Sequence, residues 1–463
     1  MINKIENCET SDLSRKCSCT GLDENINSYQ IVELHRELDY LKGQLALVPE
    51  PVQWCCKHLR QFWWTLSSLV GLGWLHNGAR PVMQMTASNP TVRLPTASLD
   101  DMPPPRLFLD VTITYKSKLN TGVQRVIREL CRHGEIGGEL APVIIEKGRF
   151  VSVPEMTAIN YREGDKILLL DSGWTHTNTY IPALKHAKSC GVDIILGIYD
   201  LIPIQHPGFV HPYFTHLFDQ WLKSITPFCS SVLAISRYSA ESYHLWAEKN
   251  GLLVNIEEIG WFHLGADFPE PDAQSQSGTN NGEDIPSNYL LSVGTLEPRK
   301  GYSCALDAFD LLWKDGSNLS YVIVGRRGDL ARHIVDRIIN HPLFGKKLFW
   351  PQNVDDHLLA LFYNRSQGVL IPALAEGFGL PLIEACKHGK PVIASDLQVF
   401  REIAPPGVIF FEAAKGVELA QAIKDMCDKS IGTPSLVASD LDWNTATKKM
   451  LRIIKSNEYQ MKL

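Results

Sequence analysis

Two carboxylates bracket a glycine-rich turn in the stretch AEGFGLPLIEACKHGKP, residues 375–391. Pro381 suits the first turn of a helix, and the residue before a proline avoids the helical region, so a helix is expected to begin near 381. It is expected to end near His388, with Gly389 as a left-handed cap and Pro391 preventing continuation. Glu376 then lies in the loop before the helix, and Glu384 in its first turn or so. Gly377 and Gly379 let the backbone approach a ligand closely. The N–H groups of Phe378, Gly379 and Leu380 form a mouth that favours an anion such as a phosphate. Carboxylates accept hydrogen bonds from hydroxyls, so a phosphate centre flanked by hydroxyl-bearing rings, a nucleotide sugar, fits the pattern. The plainer alternative is that both glutamates only complement the helix dipole, worth under about 1 kcal/mol each. That alternative explains neither the paired glycines nor Glu376.

A second cluster, SVGTLEPRKGY at 292–302, runs off a strand through Gly294 into a loop carrying Arg299 and Lys300, and Gly301 opens a helix. Two cations at the carboxyl end of a strand, facing a helix N-terminus, suit a diphosphate. Taken alone, a solvated turn accounts for this cluster better, and it is beside 376–384 that the cluster gains weight.

The elements that position these residues follow from hydrophobic patterning. The runs RLFLDVTI (106–113), KILLLD (166–171), VDIILGIYD (192–200) and SVLAIS (231–236) read as strands. So do NYLLSVG (288–294), LSYVIVG (319–325), KLFW (347–350), GVLIP (368–372), PVIAS (391–395) and GVIFF (407–411). Helical segments separate them, among them 122–133, with Val123, Val126, Ile127 and Leu130 on one face. Strands apolar on both faces, alternating with helices, indicate buried parallel sheets. The polar stretch 267–287 interrupts the alternation as a linker. The expected fold class is therefore α/β, with two Rossmann-like domains, 105–266 and 288–440, and a C-terminal segment at 441–463. Ligands of such sheets bind at the carboxyl ends of the strands, here in the cleft between the domains.

Residues 1–104 form an N-terminal helical extension in this reading. Its start is polar, without a signal-peptide pattern, and reads as disordered. Ile31, Leu34, Leu38, Leu41 and Leu45 give 29–47 a short heptad stripe, suited to an oligomerising coil or to a helix docked on its own chain. The uncharged run FWWTLSSLVGLGWL (62–75), within an apolar helix at 53–75, is too short to cross a bilayer. Its tryptophans and basic flank suit a membrane surface; packing on the main body stays open. Residues 76–104 read as a linker.

The 463 residues carry a net charge of −6 with the signs mixed, which argues against a nucleic-acid surface. Eleven cysteines without a paired CxxC arrangement point to a reducing compartment and away from a zinc site.

GTLEPRKG followed by PALAEGFGLPLIEACKHGKPVIASD resembles the retaining family-4 glycosyltransferases of GT-B fold, whose signature is a pair of glutamates spaced as Glu376 and Glu384 are. The resemblance extends over roughly 105–456 and includes LDVTITYKSKLNTGVQRVIREL, YDLIPIQHP, VIVGRRGDL and LDWNTATKKMLRII. It implies that Glu376 binds hydroxyls of the donor sugar and Glu384 those of the ribose. It implies that Lys300, with Arg299, neutralises the diphosphate leaving group, and that amides of Gly377–Leu380 bind sugar and phosphate. Gly325 and Arg326 would lie near the base, and the Thr121–Gly122 turn near the donor phosphate or the acceptor. Two departures stand out. Tyr199, followed by Asp200, replaces a histidine common in relatives, for which His206 is a candidate substitute. Thr295 replaces an arginine, which puts more of the phosphate binding on Arg299 and Lys300.

The resemblance implies transfer of a mannose- or rhamnose-type sugar from a nucleotide sugar to a hydroxyl of a glycan or lipid-linked acceptor, with retention, in bacterial surface polysaccharide synthesis. The expected setting is cytoplasmic, with a peripheral place at the inner face of the plasma membrane left open. No D-x-D motif stands out at a strand end, so no metal or other cofactor is expected. The competing readings are a sugar phosphorylase or epimerase of the same fold, and an inert scaffold subunit of a membrane-associated assembly.

Overall fold

The computed structural model describes residues 105–117, 121–136, 138–267, 286–428 and 442–463. The expectations for 29–47 and 53–75, and most of the 267–287 linker, lie outside the described residues. Pro103–Leu463 form one compact unit.

Two sheets organise that unit. The first has the strand order β14-β7-β6-β5-β4-β1-β2-β3, and the second β10-β9-β8-β11-β12-β13. In the first half the strands are β1 (Leu107–Asp110), β2 (Ala141–Glu146), β3 (Arg149–Ser152), β4 (Lys166–Leu169), β5 (Asp193–Ile198), β6 (Ser231–Ala234) and β7 (Glu258–Trp261). The second half contributes β8 (Tyr289–Val293), β9 (Ser320–Val324), β10 (Leu348–Phe349), β11 (Gly368–Ile371), β12 (Val392–Ser395) and β13 (Ile409–Phe411). β14 (Met461–Lys462) lies at the chain end and pairs antiparallel with β7. Apart from that pair and the antiparallel β2–β3 hairpin, neighbouring strands run parallel. The order reverses between β1 and β4 in the first sheet, and between β8 and β11 in the second. Parallel sheets open a crevice at such switch points, beyond the carboxyl ends of the strands. The loops there, after β1, β4, β8 and β11, carry most of the residues discussed below.

Several elements differ from the sequence reading. The apolar run at 106–113 is a strand only to Asp110, and Thr112–Lys116 turn into a helix. Carboxylates cause the change. Asp110 Oδ1 accepts from the Thr112 amide at 3.1 Å and its hydroxyl at 2.5 Å. Asp171 Oδ2 accepts from the amides of Ile113 and Thr114, both at 2.7 Å. Those amides are the free donors of a helix start, and a carboxylate there stabilises the helix. The β2–β3 hairpin was not anticipated. Its two-residue turn places Lys147 at φ 49° and Gly148 at φ 74°, both in the left-handed region that a tight hairpin requires.

One continuous buried cluster joins the halves, running from Leu109 and Leu168 through Leu264 and Phe378 to Leu382 and Phe400. The helix Trp443–Ser456 returns to pack on Gly122–Ile136. Trp443 is fully buried, and a Cβ at Gly265 would lie 2.3 Å from its amide nitrogen. Glu402 supplies a further clasp. It accepts from the amides of Arg237 at 2.7 Å and Tyr238 at 3.0 Å, and bonds His263 Nε2 at 2.8 Å. A second-half carboxylate thus closes the mouth of the first-half helix Arg237–Lys249. Burial pushes Glu402 up, but the His263 and amide hydrogen bonds outweigh it and hold the carboxyl below its ordinary range.

Asp110 is fully buried and also accepts from Tyr180 Oη at 2.6 Å. Burial, and then the Asp171 charge, push it up to about 7 despite its hydrogen bonds. The folded chain therefore keeps a proton that the unfolded chain releases at lower pH. That contribution is full in acid and is lost as pH rises through about 7. D110N does not titrate, so its stability relative to wild type should rise by on the order of 2 kcal/mol between pH 5 and pH 8. Denaturant unfolding at the two pH values measures this, and a pH-independent difference would contradict it. E402A leaves helix amides and His263 without their acceptor and should lower stability at pH 7 by about 1–2 kcal/mol, read from the same curves.

Candidate functional site

The loops after β8 and β9 lie backbone to backbone. The Gly294 amide donates to Val324 O at 2.9 Å, and the Leu296 amide to Arg326 O at 2.8 Å. A Cβ at Gly325 would lie 2.0 Å from Gly294 O, so only glycine permits the contact. Trp350 Nε1 donates to Gly325 O at 2.7 Å and pins the same loop. The side chain of Thr295 sits against Gly328. Pro298–Lys300 then form a short helical turn that stops at Gly301, at φ 68°. A Cβ there would lie 1.7 Å from Pro372 O. The Leu374 amide donates to Arg299 O at 2.7 Å. These backbone contacts bring Arg299 and Lys300 against the loop that follows β11.

Glu376 receives both cations. Lys300 Nζ bonds Oε1, and Arg299 Nη1 donates to Oε2 at 3.1 Å. Arg299 Nε also donates to Glu297 Oε2 at 2.8 Å. Burial pushes the Glu376 carboxyl up, but the charges of Lys300 and Arg299 outweigh it and hold it below the ordinary carboxylate range. Asp200 is pushed up by burial, with the Arg299 charge opposing. Its Oδ1 caps the Ile202 amide at 3.0 Å. The sequence reading gave Glu376 to the sugar and the cations to the diphosphate. The structure brings all three into one ion-paired group.

The helix spans Leu380–Lys387, which puts Glu384 at its fifth position, in the second turn rather than the first. Glu384 is 3% exposed. It accepts from Arg125 Nη1 at 2.5 Å and from Tyr363 Oη at 2.7 Å. Arg125 belongs to the first half and was not among the expected site residues. Its sequence signal is slight: a lone arginine in the first turn of the helix Gly122–Ile136.

The glycines of the turn need a corrected reading. The space a Cβ would take at Gly377 is filled by Tyr199 O, at 2.4 Å. Ser236 and Ser239 hydroxyls donate to Gly377 O at 2.8 and 3.2 Å. Gly379 adopts φ +109°, and a Cβ there would meet the Phe400 ring at 2.6 Å. Both glycines are thus required by contacts with the protein itself, not by ligand approach alone. Phe378 is buried in the core with its ring 5.9 Å from that of His263, and Leu380 packs against the same core. Only their amides are left for the mouth. The amides of Gly377, Phe378, Gly379 and Leu380 donate no hydrogen bond among the described residues.

On the first-half side, the Thr121 hydroxyl bonds Gln124 Oε1, and Gly122 opens the helix. Tyr199 Oη is buried without a hydrogen-bond partner among the described residues. His206 stacks on Phe209 at 5.7 Å and makes no hydrogen bond to Tyr199 or Asp200. A cavity of about 400 Å³ beside Pro298 and Gly301 is lined by Phe209, Asp307, Leu330 and His333 among others, and Glu376 and Glu384 do not line it. Among the described residues, no group of three or more His, Cys, Asp or Glu side chains is arranged to hold a metal ion, and no helix is long and apolar enough to cross a membrane.

The chain is 28% identical over 345 residues to the serotype-specific mannosyltransferase WbdA of Escherichia coli, covering 69% of this chain and 42% of WbdA. It is 27% identical over 257 residues to the O-antigen chain mannosyltransferase RfbU of Salmonella typhimurium, covering 54% of this chain and 63% of RfbU. The chain thus spans well under two thirds of the WbdA length. Among solved structures, Anabaena HepE in complex with UDP-glucose superposes with a TM-score of 0.51 at 13% identity, covering 76% of this chain and 97% of HepE. Sucrose-phosphate synthase from Thermosynechococcus elongatus gives 0.51 at 15% identity, covering 77% and 95%. Residues 276–456 match the family described as glycosyl transferases group 1. The chain has the GT-B fold, and the half that holds Lys300, Glu376 and Glu384 resembles the glycosyl transferases group 1 family.

Proposed function

We propose that this chain is a glycosyltransferase that moves a sugar, mannose in the favoured case, from a nucleoside-diphosphate sugar to a hydroxyl of a glycan or lipid-linked acceptor. The observation that carries the proposal is the convergence of Lys300 and Arg299 on Glu376 beside the amide mouth of Leu380–Lys387. The mannosyltransferase names of WbdA and RfbU support the choice of sugar and a role in surface polysaccharide synthesis.

The chemistry follows from where charge develops. Breaking the sugar–phosphate bond puts negative charge on the departing diphosphate. Lys300, Arg299 and the helix amides then stabilise the transition state more than the ground state, which is the condition for catalysis. When the diphosphate takes the cations, Glu376 is released to accept hydroxyls of the sugar. Engaged with those hydroxyls, Glu376 is not free to attack the anomeric carbon. We therefore infer that retention arises from attack on the face of the leaving group rather than through a glycosyl-enzyme ester. Tyr199, Asp200 and the Thr121–Gly122 turn line the acceptor side in this reading, and Gly325 and Arg326 the base. Since the protein supplies the cations itself, transfer is proposed to need no divalent metal.

A thermal-shift screen of GDP-, UDP- and dTDP-sugars, with and without EDTA, tests the reading, because a ligand that binds only the folded chain raises its melting temperature. One base should give a clear shift that survives EDTA. K300A should lower the transfer rate by about 10²–10³-fold, and should also lower the melting temperature of the free chain, since the buried Glu376 is left with Arg299 alone. NMR of the product should report the anomeric configuration of the donor. No shift with any sugar nucleotide would sink the proposal in favour of an inert scaffold.

A further inference from the structure

We propose that Arg125 is a ligand of the donor diphosphate, supplied by the first half and held on Glu384 until a donor arrives. The inference rests on the glycosyltransferase reading above and adds a residue to it.

Charge balance is the first argument. Around the mouth of Leu380–Lys387, the two cations Arg299 and Lys300 face three carboxylates, Glu376, Glu297 and Asp200. A nucleoside diphosphate adds at least two more negative charges, and a helix N-terminus offsets only about half a charge. A further cation reaching the mouth would offset part of that charge.

Arg125 is placed to be that cation. Glu384 follows Leu380 by four residues, about 6 Å along the helix. Helical side chains lean toward the N-terminus, so the Glu384 carboxylate, and the guanidinium 2.5 Å from it, lie within about one turn of the mouth. An arginine side chain spans that distance by rotating. Arg125 is also in the first turn of its own helix, Gly122–Ile136, where a positive charge opposes the dipole by about 0.3–1 kcal/mol. A residue that breaks a local rule in the cleft is one expected to serve a ligand.

Access to Glu384 completes the argument. Arg125 and Tyr363 cover its carboxylate almost completely, so ribose hydroxyls reach it only if Arg125 moves. Leaving a buried charge without a partner is strongly unfavourable. If Arg125 passes from Glu384 to the diphosphate as the ribose takes its place, every charge keeps a partner. Arg125 Nη2 also donates to Asp267 O at 3.1 Å, a bond that the move to the diphosphate would exchange for one to a phosphate oxygen.

Titration calorimetry of the full chain with GDP against GMP, and UDP against UMP, separates the diphosphate from the ribose. Wild type should prefer the diphosphate, and R125A should reduce that preference by about tenfold, with R125K intermediate. An equal weakening of diphosphate and monophosphate by R125A, or a tightening of the diphosphate, would overturn the proposal; tightening would mean that Arg125 is only a cover over Glu384. Should R125A fail to fold by circular dichroism, R125Q, which keeps most of the side-chain volume, gives the same comparison. If wild type binds neither diphosphate, the glycosyltransferase reading falls and takes this inference with it, whereas normal binding with an unchanged preference in R125A removes this inference alone.

Discussion

The site depends on one constraint: the segment Glu376–Leu380 must touch both halves of the molecule and still leave its amides free. Its carbonyl at Gly377 is held by Ser236 and Ser239 of the first half. Its carboxylate at Glu376 is held by Arg299 and Lys300 of the second. Between these anchors the chain turns through Gly379 at φ +109° into the helix. A side chain at either glycine would strike protein, so the turn is determined from outside rather than by its own propensity. An anion site whose donors are fixed in advance loses little in reorganising when charge arrives, and that makes such donors effective in a transition state.

The same economy governs the ions. Breaking up a buried ion pair is costly when one partner is left alone, and nearly neutral when each partner is handed a replacement. Glu376 with its two cations, and Glu384 with Arg125, are both arranged for such an exchange. In the proposed reading a pyrophosphate takes over the cations, and sugar and ribose hydroxyls take over the carboxylates. Low exposure at both pairs keeps them from being screened by salt, so the exchange is decided by charge and geometry inside the cleft.

How much of this was legible in the sequence depends on distance along the chain. The parallel sheets were readable because strands buried on both faces are continuous apolar runs. The start of the helix at 380 and its end before Gly389 were readable because proline and glycine act locally. The end of β1 was not, since it is set by Asp171, whose carboxylate takes amides 57 and 58 residues away. The β2–β3 hairpin was missed because Lys147 carries a positive φ that usually marks asparagine or glycine. Gly377 was recognised as necessary but for an incomplete reason, since close approach of ligand and close approach of protein select the same residue type. Arg125 and Glu384 are 259 residues apart, and nothing local to either announces the other.

The cross-half contacts fall into two kinds, and the difference bears on how a donor enters. Glu402 with the Arg237 and Tyr238 amides, and Gly377 O with two serine hydroxyls, bind backbone groups of the opposite half. The buried cluster through Phe378 and Trp443 adds apolar area to these. A nucleotide sugar offers no substitute for either, so opening them wide would expose unpaired amides and apolar surface together. Arg125 with Glu384 is a contact between side chains, for which phosphate and hydroxyl are direct substitutes. In the proposed reading, the least costly path for a donor is therefore a local exchange of side-chain partners in a cleft whose backbone clasps stay shut.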